Sequence, residues 1–117
     1  VVQYAVSQMP PHKLLLGIPA YVYDWPQGGR ARALYSVGAH NLSARYGVTP
    51  QYRADYAEST FRYVDDKGVT HEVWYTDPAG LAAKLELVDR YDLGGVAQWA
   101  LGYETEDFWP IYQQFVP

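Results

Sequence analysis

The sequence predicts an α/β fold in which a small α+β insert separates two strand–helix units. Two apolar segments of strand length, residues 14–23 and 95–101, have no polar alternation, which is typical of strands covered on both faces of a parallel sheet. Helical patterns flank both segments, and the region between them mixes loop, helix and strand signals. Without this insert the order is two βα units, the repeating element of parallel α/β folds.

The first half of the chain contains a helix end, the first apolar strand and part of the insert. Residues 1–8 have a helical pattern that two consecutive prolines terminate. The strand 14–23 leads into a loop rich in Gly and Pro. Residues 33–46 then carry apolar side chains at helical spacing up to Gly47, and residues 51–56 are predicted to form a short strand.

The second half contains a hairpin and two further helices. Residues 59–64 and 69–75 are predicted to form antiparallel strands joined by a turn that contains a glycine. Asp77 and Pro78 are a typical N-cap and first residue of a helix, and apolar residues then repeat at helical spacing. After the second apolar strand, residues 105–115 are predicted to form the last helix.

Composition excludes several classes of partner. The net charge is -4 and the nine Lys and Arg residues are scattered, so a nucleic-acid partner is not expected. Gly17 and Pro19 interrupt the longest apolar run, which is too short to cross a membrane. The chain has no cysteine. Its three histidines, His12, His40 and His71, lack metal-ligand spacing. We expect them on the surface or in the hairpin. We therefore expect no metal, no disulfide and no membrane contact.

The aromatic content is high, with 12 Tyr, 4 Trp and 3 Phe in 117 residues. Tyr and Trp combine a flat apolar face with a polar tip, which suits both sugar binding and protein interfaces. Packing in the core is the alternative for any one of these rings. The N-terminus has no initiator Met and no secretion signal, so we expect the chain to begin inside a longer protein.

Three segments resemble family 18 glycoside hydrolases, especially their bacterial spore-cortex and peptidoglycan-type branch. KLLLGIPAYVYDW (13–25) resembles the seventh barrel strand, and DFWPIYQQF (107–115) resembles the closing helix. HEVWYTDPAGLAAKLELVDRYDLGGVAQWALGYE (71–104) resembles the last insertion strand, the seventh helix and the eighth strand. The resemblance implies the C-terminal fragment of a (β/α)8 TIM barrel, namely its last two βα units with a small α+β insertion.

This resemblance divides the chain into three parts. Residues 1–25 would be the end of helix 6 and barrel strand 7, residues 26–76 the α+β insertion subdomain, and residues 77–117 helix 7, strand 8 and the closing helix. Two barrel strands without their neighbours expose unpaired edges and apolar faces. We therefore expect the isolated fragment to self-associate through these strands.

The resemblance also implies an activity and a setting. Family 18 enzymes hydrolyse β-linked N-acetylglucosamine polymers, here peptidoglycan or chitin, by a retaining, substrate-assisted mechanism that uses no cofactor. The setting would be extracellular, the cell envelope or the spore. The family's Asp-x-x-Asp-x-Asp-x-Glu signature is absent, because Asp89 and Asp92 are followed by Gly94 and Val96 at the required positions. No catalytic residue is therefore expected in this segment, and the isolated fragment should be inactive.

Four residues are candidates for substrate binding. Trp99 matches the eighth-strand Trp on which the sugar ring stacks in this family, although a Trp on an apolar strand can equally fill a core. Tyr21 ends the matching seventh strand, and Asp24 and Trp25 begin the loop after it. We expect Trp99, Tyr21, Asp24 and Trp25 to lie near the bound saccharide, with Trp25 stacking on a flanking sugar or packing on the insert.

Three acids follow the second apolar strand, namely Glu104, Glu106 and Asp107. They could form an acid/base pair, but their position before the last helix favours capping. Two other functions stay open. One is a non-catalytic, lectin-like carbohydrate-binding member of the same fold, and the other is a self-contained α+β interaction domain.

Overall fold

The computed structural model describes residues 1–115, which form four α-helices, seven β-strands and a short 3-10 turn at Pro11–Lys13. Their bounds in chain order are α1 Val2–Gln8, β1 Leu15–Pro19, β2 Tyr21–Pro26, β3 Arg32–Tyr35, α2 Ser36–Tyr46, β4 Gln51–Arg53, β5 Glu58–Val64, β6 Thr70–Tyr75, α3 Pro78–Arg90, β7 Gly95–Trp99 and α4 Phe108–Phe115. Residues 116 and 117 of the predicted closing unit lie outside this range.

A two-stranded parallel sheet joins the two apolar segments. β1 and β7 pair in register from Leu15 opposite Gly95 to Pro19 opposite Trp99. Helices α3 and α4 pack on this sheet, and one buried apolar cluster joins them: Ile18, Ala20, Leu81, Leu85 and Phe108. The arrangement agrees with the predicted βα units and with an α/β fold.

The insert forms a five-stranded antiparallel sheet in the order β3-β2-β6-β5-β4. Helix α2 covers one face, where a second apolar cluster is buried: Val22, Ala39, Phe61, Tyr63, Val73 and Tyr75. Because successive residues of a strand point to opposite faces, the alternate positions of β2 and β6 lie on the other face. That open face carries the aromatic side chains described below.

Lys84 of α3 ties the insert to the first core. Its ammonium donates to the Ala57 carbonyl at 2.9 Å, to the Thr76 hydroxyl at 2.9 Å and to the Glu58 carboxylate. Gly80 packs so closely on the same turn that an added Cβ would lie 2.4 Å from the Ala57 oxygen. The insert and α3 are therefore fixed to one another.

The predicted hairpin and the predicted start of α3 were confirmed, whereas the bounds of two longer predicted elements were wrong. The hairpin appears as β5 and β6, and the Asp77 carboxylate accepts a hydrogen bond from the Gly80 N–H at 2.7 Å as the N-cap of α3. The strand predicted over residues 14–23 is instead two strands in two sheets, divided at Ala20. The helix predicted over 33–46 begins only at Ser36, because the preceding residues pair with β2 as β3.

No helix within residues 1–115 combines the length and apolar character needed to cross a bilayer.

Candidate functional site: an aromatic cleft where the two sheets meet

Trp99 lies at the carboxyl end of the parallel sheet. It is the last residue of β7, opposite Pro19, and its carbonyl accepts a hydrogen bond from the Ala20 N–H at 2.8 Å. Its side chain is not part of either core, since 71% of it is exposed. Trp99 therefore fills neither of the two cores formed within residues 1–115, and its indole is accessible in this chain.

A cleft of about 350 Å³ opens beside this indole. Its lining consists of Trp99 and four residues from β2, β3 and the loop after β7: Tyr21, Tyr23, Ala33 and Tyr103. The predicted Trp99 and Tyr21 are thus brought together. Tyr23 and Tyr103 were missed, although strand alternation would have placed Tyr23 on the same face as Tyr21.

Three aromatic residues follow one another along the open face of β2, and we call Tyr21, Tyr23 and Trp25 the aromatic row. The ring centroids of Tyr21 and Tyr23 are 5.2 Å apart in an edge-to-face arrangement, and those of Tyr23 and Trp25 are 5.7 Å apart. Trp25 is 50% exposed. The row extends the aromatic surface of the cleft along the insert.

Backbone contacts fix the loop after β7 against the insert. The Tyr103 carbonyl accepts from the Ser36 N–H at 2.8 Å, and the Ser36 hydroxyl donates to the Ala20 carbonyl at 3.1 Å. The rings of Tyr35 and Tyr103 meet edge to face at 4.5 Å. The cleft is therefore built from three separate segments that are held together at Ser36.

Glu104 stabilises this loop, which corrects the expectation that it caps α4. Its carboxylate accepts from the Gly102 N–H at 2.9 Å and from the Gln98 side chain at 3.0 Å, and Tyr112 donates to Gln98 at 2.6 Å. Burial and the nearby Glu104 charge raise the pKa of Tyr112 to about 12. Asp107 accepts from the Thr105 hydroxyl. The carboxylates of Glu104 and Asp107 therefore have structural partners.

Asp24 is not brought to the cleft. Its side chain has 0% exposure and lies on the opposite face of β2 from the aromatic row. It accepts from Arg32 at 2.5 Å, Tyr63 at 2.8 Å and His71 at 2.7 Å. Burial alone would raise the pKa of Asp24, but these hydrogen bonds outweigh it and the pKa is lowered.

His71 lies in the hairpin as predicted but is buried rather than on the surface. Its Nδ1 faces the Asp24 carboxylate, its Nε2 lies 3.3 Å from the Asp65 carboxylate, and its ring stacks on that of Tyr63 with centroids 4.5 Å apart. Burial, followed by the hydrogen bond to Asp24, raises the pKa of Tyr63. No local signal in the sequence indicates that these distant polar residues converge.

The cleft is suited to binding rather than to acid/base chemistry. Its lining is aromatic apart from Ala33, so it offers flat apolar faces and hydroxyl groups to a ligand. Among residues 1–115 no group of three or more His, Asp or Glu side chains is arranged to hold a metal ion.

Comparison with known proteins assigns the family. The profile of Glycosyl hydrolases family 18 matches residues 1–104. The chain belongs to this family. This family 18 chain is 37% identical over 116 residues to the cortical fragment-lytic enzyme of Bacillus cereus, an alignment that covers 95% of the chain and 27% of that enzyme. The predicted resemblance is therefore confirmed.

Two solved structures share the fold of the family 18 chain. The spore cortex-lytic enzyme SleL of Bacillus megaterium QM B1551 superposes with a TM-score of 0.91 at 36% identity, and the chitinase of Chromobacterium violaceum ATCC 12472 with a TM-score of 0.89 at 41% identity. The matches cover 99% and 97% of this chain, but 28% and 36% of the two structures. The chain thus spans between 27% and 36% of the length of these relatives.

Proposed function

We propose that this chain is the C-terminal part of a glycoside hydrolase that acts on β-linked N-acetylglucosamine polymers, and that it supplies the wall on which the substrate stacks. The exposed indole of Trp99, at the carboxyl end of β7 and beside the aromatic row, is the observation that carries this proposal. Active sites of α/β barrels lie at the carboxyl ends of their strands.

A sugar ring has apolar and polar surfaces that need different partners. A pyranose presents a patch of C–H groups that an indole or phenol face can cover, while its hydroxyl groups need hydrogen-bond partners around the edge. Trp99 offers the apolar face, and Tyr21, Tyr23 and Tyr103 offer both rings and hydroxyls. In this proposal Trp99 and Tyr21 contact the sugar at the centre of the site, and Trp25 stacks on a flanking sugar.

Asp24 has a different role in this proposal. Its carboxylate is buried behind the aromatic row, so it acts through β2 and does not hydrogen-bond the sugar. The site therefore consists of Trp99, Tyr21 and Trp25 with Tyr23 and Tyr103 added to the predicted set.

The proposed reaction is retaining hydrolysis assisted by the acetamido group of the substrate, with the catalytic acids outside this segment. The wall would contribute binding energy remote from the cleaved bond, which serves to orient and distort the sugar. The named relatives, a cortical fragment-lytic enzyme and a spore cortex-lytic enzyme, favour peptidoglycan as the polymer and a spore or cell-envelope setting. The chitinase relative makes chitin the second candidate.

The proposed architecture follows from the pairing of β1 with β7. These two strands would be barrel strands 7 and 8, α3 would be helix 7, and the five-stranded sheet with α2 would be the insertion. The sheet of the insertion begins at Tyr21, before the predicted boundary at residue 26. No nucleic acid and no membrane take part in the proposed function.

The test uses the complete reading frame that contains this segment. We expect the encoded protein to release reducing ends from cortex peptidoglycan or from N-acetylglucosamine oligomers, and the 117-residue chain alone to bind oligomers without cleaving them. Binding without turnover by the complete protein would support the lectin-like alternative. Absence of both binding and turnover would refute the proposal and favour an interaction domain.

A further inference from the structure

A cluster of polar side chains centred on the buried Asp24 lies directly behind the aromatic row. We call Asp24, Arg32, Tyr63, Asp65 and His71 the Asp24 cluster. Its central residue stands between Tyr23 and Trp25 in the sequence of β2, so its side chain and theirs point to opposite faces of the same strand. The contacts that hold the Asp24 side chain therefore also constrain the backbone positions of Tyr23 and Trp25.

Three other strands of the same sheet contribute the hydrogen bonds that hold Asp24. Arg32 of β3 and Tyr63 of β5 donate to its Oδ2 at 2.5 and 2.8 Å, and Nδ1 of His71 in β6 faces its Oδ1 at 2.7 Å. A carboxylate with no exposed surface and three donors has very little freedom to rotate. Strand β2 is thus anchored at one point by residues from strands on both of its edges.

On the open face, the residue opposite Trp25 does not provide a second anchor for β2. Trp25 is opposite Glu72 in β6, and the Glu72 carboxylate is already engaged by Arg62 at 2.5 Å and by the Trp74 indole at 2.7 Å. Half of Trp25 is exposed, and Tyr23 is its ring neighbour in the row. The position of the Trp25 ring therefore depends mainly on its backbone.

His71 contacts two carboxylates with two different ring nitrogens. Its Nδ1 links β6 to β2 through Asp24, and its Nε2 lies 3.3 Å from Asp65, which belongs to the hairpin turn. Only the first contact reaches the strand that carries the row. Loss of the contact with Asp24 should therefore weaken ligand binding, whereas loss of the contact with Asp65 should not.

We propose that His71 and Asp24 are positioning residues, and that the hydrogen bond between Nδ1 of His71 and Asp24 holds Tyr23 and Trp25 where they contact the saccharide. The ligand part of this inference rests on the proposed function. The part that concerns the position of Trp25 does not, since it can be measured without a ligand.

Two amide replacements that differ by one methylene group separate the two contacts. In His71→Asn the amide nitrogen occupies the place of Nδ1, because both atoms are attached to Cγ, so a donor to Asp24 is kept. In His71→Gln the amide nitrogen reaches the place of Nε2, so the contact with Asp65 is kept and the donor to Asp24 is lost. Both variants lose the stack on Tyr63, and this loss cancels when they are compared.

The measurement follows the indole N–H resonances of the 117-residue chain during titration with an N-acetylglucosamine tetramer. We expect His71→Asn to keep the Trp25 resonance and the dissociation constant of the wild type within about twofold. His71→Gln should shift the Trp25 resonance and weaken binding by up to about tenfold, because the free energy of one charge-assisted hydrogen bond is the upper limit of what misplacing the row can cost. Trp109 on α4 is the internal reference, and His12→Asn in the exposed 3-10 turn is the matched control.

Each outcome decides between the two proposals. If the wild type binds no oligomer, the proposed function fails, and the Trp25 resonances of the two variants still test the positioning role. Equal behaviour of the two variants would overturn the inference. Should either variant unfold, Tyr63→Phe keeps the ring and its stack but removes one donor to Asp24. An unchanged Trp25 resonance and unchanged affinity in that variant would likewise overturn it.

Discussion

Replacement of Trp99 by Ala tests the stacking wall most directly. Covering a Trp side chain removes about 200 Å² from water, and because 71% of Trp99 is exposed, about 140 Å² is available to a ligand. A sugar on one face of the ring covers about half of that area, which at about 25 cal/mol per Å² is worth about 2 kcal/mol. The expected loss in affinity for an N-acetylglucosamine oligomer is therefore about 30-fold.

The assay is a calorimetric or spectroscopic titration of the 117-residue chain with the oligomer. Trp109→Ala is the matched control, because this ring is also partly exposed but lies on α4 and does not line the cleft. Trp99→Phe keeps a flat ring of smaller area and should lose about threefold. The reasoning is refuted if Trp99→Ala binds within twofold of the wild type, or if Trp109→Ala loses as much.

Three further predictions concern stability and assembly. Gly80→Ala should lower the free energy of unfolding by about 1–3 kcal/mol, because the new Cβ meets the Ala57 oxygen. The control in the same urea unfolding series is Gly17→Ala, where an added Cβ has no atom within 4 Å. The pKa of Asp24 is lowered from its ordinary 3.8, so its contribution to stability is complete above that pH and is lost as the pH falls through the lower, folded-state pKa. Urea midpoints measured from pH 5 to pH 2.5 should fall more steeply for the wild type than for Asp24→Asn, and parallel curves would contradict this. The free edges of β1 and β7 should make the isolated chain self-associate, and sedimentation of a strict monomer at all concentrations would count against it.

The sequence predicted best the elements whose signals are local. The hairpin follows from a glycine turn between two β-rich segments, and the start of α3 follows from Asp77 and Pro78. The division of the apolar run at Ala20 has no such signal. It depends on the Trp99 carbonyl, which accepts a hydrogen bond from the Ala20 N–H although the two residues are far apart in the sequence.

The candidate site shows the same difference between local signals and contacts of residues that are distant in the sequence. Trp99 and Tyr21 were identified because they belong to segments that resemble the family, and Tyr23 follows from alternation once β2 is known to be a separate strand. Asp24 was expected at the start of the loop after the first apolar strand, near the bound saccharide. Its burial depends on Arg32, Tyr63 and His71, which reach it from three strands and carry no mark of this in the sequence.

The change of sheet at Ala20 brings the antiparallel sheet next to the carboxyl end of the parallel sheet. β1 ends beside Trp99, and one residue later the chain enters the antiparallel sheet, so the aromatic row necessarily begins next to the indole. Ser36 closes the junction by bonding to both Ala20 and Tyr103. Removing the insert would therefore take away the row and also the support of the loop that carries Tyr103, leaving Trp99 without a facing wall.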